Sequence, residues 1–253
     1  MKEKLFLIIT VNKFPHGDAG AVRLNAFAKM ILSKNFQPYV VSLGESSDFS
    51  EKTFDNIKHI SLRYSDDNLL YRFLGRILYV KHLKKVIDRF SPNDIAAILF
   101  DSGSTSLFKY LKQYSKKHNI PLVFDDVEWY SASEYKLGCL NPFYRHNNMI
   151  NKKLIDRSLK SVAISTFLED HFKSKDIRTI RIPVIMDTEN ISFSKKQFAP
   201  DKVIKIIYAG QVGGKDHLLE MVEAISMLSD AERNRISFNI FGITRQQFVS
   251  VFN

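Results

Sequence analysis

The sequence predicts an open α/β protein on a mostly parallel sheet, and three observations carry that reading. Short, β-branched apolar runs alternate with longer amphipathic stretches along almost the whole chain, the rhythm of strand–helix–strand units. Several runs are apolar at every position, as in strands covered by helices on both faces. The composition is that of a packed globular chain: 253 residues, 45% hydrophobic and 25% charged. No run of about 18 apolar residues occurs that could span a membrane.

Lys4–Thr10 opens the first strand. Its apolar core Leu5-Phe6-Leu7-Ile8-Ile9 is short and leads to Asn12-Lys13 without a small-residue cleavage site, so it reads as a buried strand and not a signal peptide. Further strands are expected at Gln37–Leu43, His59–Arg63, Ile95–Asp101, Pro121–Phe124, Ser161–Ser165 and Thr179–Ile182. Helices are expected at Ala21–Ser33, Leu69–Phe90, Ser104–His118, Pro142–Leu159 and Thr166–Lys173. After Pro183 the periodicity stops, and 184–202 reads as a linker. Residues 203–253 start a fresh βαβα unit: strand Lys205–Ala209, turn Gly210–Gly214, helix Asp216–Leu228, strand Ser237–Phe241, helix Arg245–Phe252. The expected organisation is therefore an N-terminal domain over 1–183, the linker, and a partial second domain over 203–253. Two parallel strands alone leave apolar faces exposed, which points to a fragment or a truncated product. The single cysteine, Cys139, allows no internal disulfide and suggests a reducing, cytoplasmic setting.

Three loops could carry chemistry. Phe14-Pro15-His16-Gly17-Asp18-Ala19-Gly20 joins the first strand to a helix, where glycines and a helix N-terminus can meet a phosphate. It reads equally well as a tight turn with Gly17 at positive φ. Tyr208-Ala209-Gly210-Gln211-Val212-Gly213-Gly214-Lys215 repeats that context, with Lys215 either a diphosphate clamp or a solvated lysine. Asp125-Asp126-Val127-Glu128 sits at the carboxyl end of a strand, the edge that faces ligands in open α/β sheets. Its acids could bind hydroxyls or move protons, or serve as helix caps and solvated surface. The loop spacings fit neither a dinucleotide fingerprint nor a Walker loop, and no Cys/His set has metal spacing.

Taken together, residues 14–44, 161–187 and 207–242 resemble the retaining glycosyltransferases of family 4, which have the GT-B architecture of two Rossmann-like domains. The resemblance implies one complete Rossmann-like domain plus the first βαβα part of a second. It implies transfer of a sugar, with retention, from a nucleoside-diphosphate sugar to a cell-surface polysaccharide or lipid-linked acceptor, with no cofactor and no metal. By match, Gly17, Gly20, Gly210, Gln211 and Lys215 would contact the donor phosphates. Gln211 stands where many members carry Arg, and Asp125-Asp126 stands where many carry His-Asp, which leaves Asp126 and Glu128 as the catalytic candidates. The family's pair of closely spaced glutamates would lie beyond Asn253, so weak or absent activity is expected of this chain.

The formal charge of +10 is unevenly placed: 1–183 holds 29 basic and 19 acidic residues, whereas 184–253 holds 8 of each. Part of the excess lies on Leu69–Phe90, where Arg72, Arg76, Lys81, Lys84 and Lys85 flank an apolar stripe. Such a helix can lie on an anionic leaflet, placing the protein on the inner face of the plasma membrane. It can equally be a core helix with a solvated outer face. A non-enzymatic basic module that binds a membrane surface or nucleic acid is the competing class, although no nucleic-acid motif is present.

Overall fold

A computed structural model of the protein describes residues 4–44, 50–63, 79–101, 104–135, 137–185, 203–210 and 217–252. The chain divides into two compact units, 1–191 and 192–253.

In the first unit, β1 (Leu5–Ile9), β2 (Gln37–Gly44), β3 (Glu51–Phe54), β4 (Ile57–Arg63), β5 (Ile95–Phe100), β6 (Leu122–Asp126), β7 (Lys160–Ala163) and β8 (Arg178–Arg181) form one sheet. Its order is β3-β4-β2-β1-β5-β6-β7-β8, and every pairing is parallel except β3 with β4. The chain starts at β1, builds outward through β2 and β4, then returns to lay β5 on the other side of β1. The strand order therefore reverses between β1 and β5, which opens a crevice at their carboxyl ends.

The apolar runs sort by pleat. Leu7 and Ile9 of β1 face one core, with Phe100, Phe108, Leu111, Phe124 and Phe172. Ile8 faces a second core on the opposite side, with Leu24, Phe27, Val40 and Leu99. The first core is covered by the helical residues 79–87 (α2), α3 (Thr105–His118) and α5 (Thr166–Ser174); the second lies under α1 (Ala19–Leu32). Polar caps start these helices. Asp18 accepts from the Gly20 N–H at 2.9 Å, Ser104 from Leu107 at 3.2 Å, and Ser165 from Leu168 at 3.3 Å.

The expected elements of the first unit are present where its residues are described, residues 69–78 of the predicted helix Leu69–Phe90 lying outside them, with four corrections. The predicted helix Pro142–Leu159 is instead α4 (Pro142–Met149) running into one wide turn, Ile150–Leu154, closed by Ile155 N–H to Ile150 C=O at 3.0 Å. The wide turn is held from outside, because the Lys175 ammonium donates to the Asn151 and Lys152 carbonyls at 2.7 Å each. Strand β3 had no apolar alternation to announce it. It is an exposed edge strand, paired through a two-residue turn whose Asp55 and Asn56 both have positive φ (47° and 62°). Gly17 does not have positive φ, so its turn needs no left-handed residue there. In α2, Tyr79, Leu83, Val86 and Ile87 are buried in the first core, so the apolar stripe of 79–87 has no face left for a bilayer.

In the second unit, β9 (Ile204–Ala209) and β10 (Ile236–Phe241) pair in parallel, with α6 (Leu218–Ser226), α7 (Asp230–Arg233) and α8 (Arg245–Phe252). The predicted helix Asp216–Leu228 is α6 in the described residues, and α7 was not foreseen. Ile206 and Ile207 are 37% and 65% exposed, as expected for a two-stranded sheet. Gly242 has φ of 94°, and a Cβ there would lie 2.6 Å from the Gly210 carbonyl oxygen, which explains a glycine at that turn.

Candidate functional site

At the carboxyl ends of β1, β5 and β6, a cleft of about 680 Å³ opens within the first unit. Its walls come from the start of α1, the start of α3, the segment after β6, and α4. The topology explains the concentration of chemistry, because the crevice of an open sheet exposes strand-end side chains that the core does not use.

Two strand ends, those of β5 and β6, supply acids. Asp101 follows β5 and is 4% exposed; it receives hydrogen bonds from the Thr10 hydroxyl and from Asn12 Nδ2, the latter at 2.7 Å. The Tyr79 hydroxyl donates to the Thr10 carbonyl at 3.0 Å, which ties α2 to the same corner. Asp125 is held by Arg23 through two bonds, Nε to Oδ2 at 2.9 Å and Nη2 to Oδ1 at 2.8 Å. Arg23 also donates to the Pro183 and Ile182 carbonyls at 2.9 and 3.0 Å, so one guanidinium joins α1, β6 and the end of the first unit's sheet. Burial pushes the Asp125 carboxyl up, and the paired guanidinium opposes that shift. Asp125 is thereby committed to structure.

Asp126 has no cation. It is 3% exposed, and its Oδ2 has no hydrogen-bond partner. Burial pushes its carboxyl up to about 7; the Glu128 backbone N–H and the nearby Asn151 side chain offset part of this, while the charges of Asp125 and Glu128 add to it. Glu128 is half-buried at the cleft wall and is hydrogen-bonded to the Tyr130 hydroxyl. The two catalytic candidates are therefore brought to one wall, with Asp126 behind and Glu128 nearer solvent. Helix capping and solvated surface, the bland readings of this cluster, do not describe Asp125 or Asp126.

The phosphate-binding candidates divide. Gly20 lines the cleft, and a Cβ there would come within 2.7 Å of Asn12 Nδ2, so the glycine makes room for the side chain that holds Asp101. Gly17 packs against Lys13 and Ala21, where a Cβ would sit 3.1 Å from each. The start of α1 already carries an anion, the Asp18 carboxylate on the Gly20 N–H. Gly210 belongs to the second unit, where its N–H donates to the Phe241 carbonyl at 3.0 Å. Gln211 and Lys215 lie outside the described residues, as do Arg72 and Arg76 on the basic helix. Lys81, Lys84 and Lys85 are exposed, and Lys84 Nζ stands 5.0 Å from the Tyr110 ring of α3.

Sequence reasoning did not single out Arg23, Asp101, Tyr130, Tyr135 or Phe143. Asp101 carried a usable signal, since it ends a strand as Asp125 and Asp126 do. Tyr130 and Tyr135 carried none, because they lie in irregular segments that only the fold brings to the cleft, as it also brings Phe143 of α4. Among the described residues no group of three or more His, Cys, Asp or Glu could hold a metal ion, and no helix is long and apolar enough to cross a membrane.

No family model and no curated protein matches the chain. Solved structures do. Sucrose-phosphate synthase from Thermosynechococcus elongatus aligns over 99% of this chain and 73% of its own, with a TM-score of 0.66 at 11% identity. WaaG, a glycosyltransferase involved in lipopolysaccharide biosynthesis, aligns over 97% of this chain and 66% of its own, with a TM-score of 0.63 at 14% identity. The lipopolysaccharide outer core galactosyltransferase WaaB aligns over 97% and 70%, with a TM-score of 0.57 at 13% identity. At such identities the likeness speaks for the fold, and the fold is α/β of the GT-B type.

Proposed function

We propose that the chain is a glycosyltransferase, or the larger part of one, that moves a sugar from a nucleoside-diphosphate donor to an acceptor hydroxyl with retention at the anomeric carbon. The observation that carries this reading is the cleft of unused acids and aromatics at the β1/β5/β6 edge of a GT-B fold. Two further solved structures of similar fold support the choice of donor: LpCGTa in complex with UDP, and Phytolacca americana UGT2 complexed with UDP-2fluoro-glucose and pterostilbene, with TM-scores of 0.55 and 0.52.

In this reading the acceptor lies in the cleft of the first unit. Glu128 binds its hydroxyls and Asp126 orients the reacting one, which for retention attacks from the face the diphosphate leaves and passes its proton to the departing diphosphate oxygen. The C–O bond to the diphosphate breaks, and the nucleoside diphosphate leaves. Lys215, the diphosphate candidate of the sequence, is proposed to meet its charge, with no metal or cofactor. The acceptor is a polysaccharide or lipid-linked glycan. The exposed Lys81, Lys84 and Lys85 would then meet anionic headgroups by charge alone, which suits a protein on the inner face of the plasma membrane.

Incubation with UDP- and GDP-sugars and core oligosaccharide acceptors tests the activity. Acceptor-dependent release of nucleoside diphosphate is expected at a low rate, with the product keeping the donor's anomeric configuration by NMR. An inverted product would remove the retaining mechanism. Binding of the protein to vesicles with 30% anionic lipid, weakened by Lys81, Lys84 and Lys85→Ala and by salt, would support the surface; equal binding to neutral vesicles would oppose it.

A further inference from the structure

The domain that holds the charge excess has an acidic cleft. Among the described residues that line it, Arg23 carries the one guanidinium or ammonium group, and Asp125 neutralises it through two hydrogen bonds. Asp18, Asp101, Asp126 and Glu128 line the same cavity. Asp126 is nine-tenths buried and more, at 3% exposure, and its Oδ2 lacks a hydrogen-bond partner. A buried carboxyl oxygen left unsatisfied at a cavity wall is a costly arrangement that a donor from a ligand would relieve.

The rest of the wall suits a sugar ring. Tyr130 and Tyr135 pack edge to face, 5.6 Å between centroids, and line the cleft with Phe143, which is 59% exposed. Aromatic faces take the C–H face of a pyranose, and carboxylates take its hydroxyls or an amine; a few convergent polar groups in an apolar pocket are the usual form of a small-ligand site. A phosphate or carboxylate on that ring would meet fixed negative charge in a partly desolvated space, with no described cation left to pair with it.

Building on the glycosyltransferase reading, we infer that this cleft takes the terminal sugar of the acceptor and that this sugar is neutral or amine-bearing, selected against phosphorylated and carboxylated sugars. The positive charge of the domain lies elsewhere, on helices such as α2, so attraction to an anionic surface and selection of the sugar are assigned to different faces.

Binding of methyl glucoside, glucosamine, glucose 6-phosphate and glucuronic acid to the whole chain at pH 8, followed by saturation-transfer NMR and titration, tests it. The first two are expected to bind, and the two anionic sugars at least about tenfold more weakly. Glu128→Gln and Asp126→Asn should each narrow that gap; circular dichroism and denaturant unfolding establish that the variants fold. Anionic sugars binding as tightly as the neutral ones would overturn the inference, and so would the absence of binding by all four. Nucleoside-diphosphate release from UDP- and GDP-sugars, measured on the same preparation, separates the two readings. Release without the sugar preference removes only this inference, whereas the preference without release removes the transferase.

Discussion

Asp125 and Asp126 show how two acidic neighbours on one strand acquire different roles. Asp125 receives a bidentate guanidinium and Asp126 receives none. Removing Arg23 leaves a buried carboxylate unpaired, so Arg23→Met should destabilise the first unit by about 3–5 kcal/mol in denaturant unfolding. Arg23→Met combined with Asp125→Leu should recover much of that loss, because the uncompensated charge is gone. Asp126 acts in the opposite sense to a salt-bridged carboxylate. Its folded pKa is raised from 3.8 to about 7, so the folded state keeps a proton that the unfolded chain releases. Asp126 therefore costs nothing below pH 4, costs progressively more between pH 4 and 7, and reaches a plateau of a few kcal/mol above pH 7. Asp126→Asn should be more stable than the parent at pH 8 and equal to it near pH 3.5, as read by urea midpoints. Equal midpoints at both pH values would show that folding leaves the Asp126 carboxyl at its ordinary pKa. The acid pair was legible in the sequence as a strand-end cluster; the division of labour was not, since it depends on an arginine 102 residues away in the chain.

At the scale of elements, most strands and helices were legible because apolar periodicity and burial coincide. Leu7, Ile8 and Ile9 of β1 are all fully buried, which is what an uninterrupted apolar run predicts for a central parallel strand. What escaped was structure that tertiary contacts impose. The wide turn at Ile150–Leu154 depends on Lys175 and its two carbonyl partners, and β3 exists only as an edge on β4. The start of α1 illustrates coupling between an element and the site. Gly20→Ala places a methyl where Asn12 Nδ2 stands, so Asn12 must leave Asp101. A loss of about 1 kcal/mol is expected, together with weaker binding of neutral sugars; binding equal to the parent would mean that the Asn12–Asp101 corner does not shape the cleft. Ser165→Ala at the N-cap of α5 should cost about the same in stability but leave sugar binding nearly unchanged, which separates a cap from a binding group.

At the scale of the molecule, the two units differ in how much they bury. The central strands of the first unit's sheet are covered on both faces, whereas Ile204, Ile206 and Ile207 of β9 are exposed at 38%, 37% and 65%. Amide hydrogen exchange should follow, with β1 and β5 protected to near the global stability and β9 and β10 exchanging faster by at least about a hundredfold. Uniform protection across both sheets would contradict this. The fold class was readable from the alternation of runs, and its GT-B type from three weak motifs in the right order. The shape and sign of the cleft were not, because they arise from strand ends and loops far apart in sequence. The account's central claim is that this cleft serves sugar transfer from a nucleoside diphosphate. Its most direct test is nucleoside-diphosphate release from UDP- and GDP-sugars with and without a neutral oligosaccharide acceptor, for the parent chain and for Glu128→Gln. Release that requires the acceptor and falls at least about tenfold in the variant is the predicted result; no release with any donor, or release indifferent to Glu128, would contradict it.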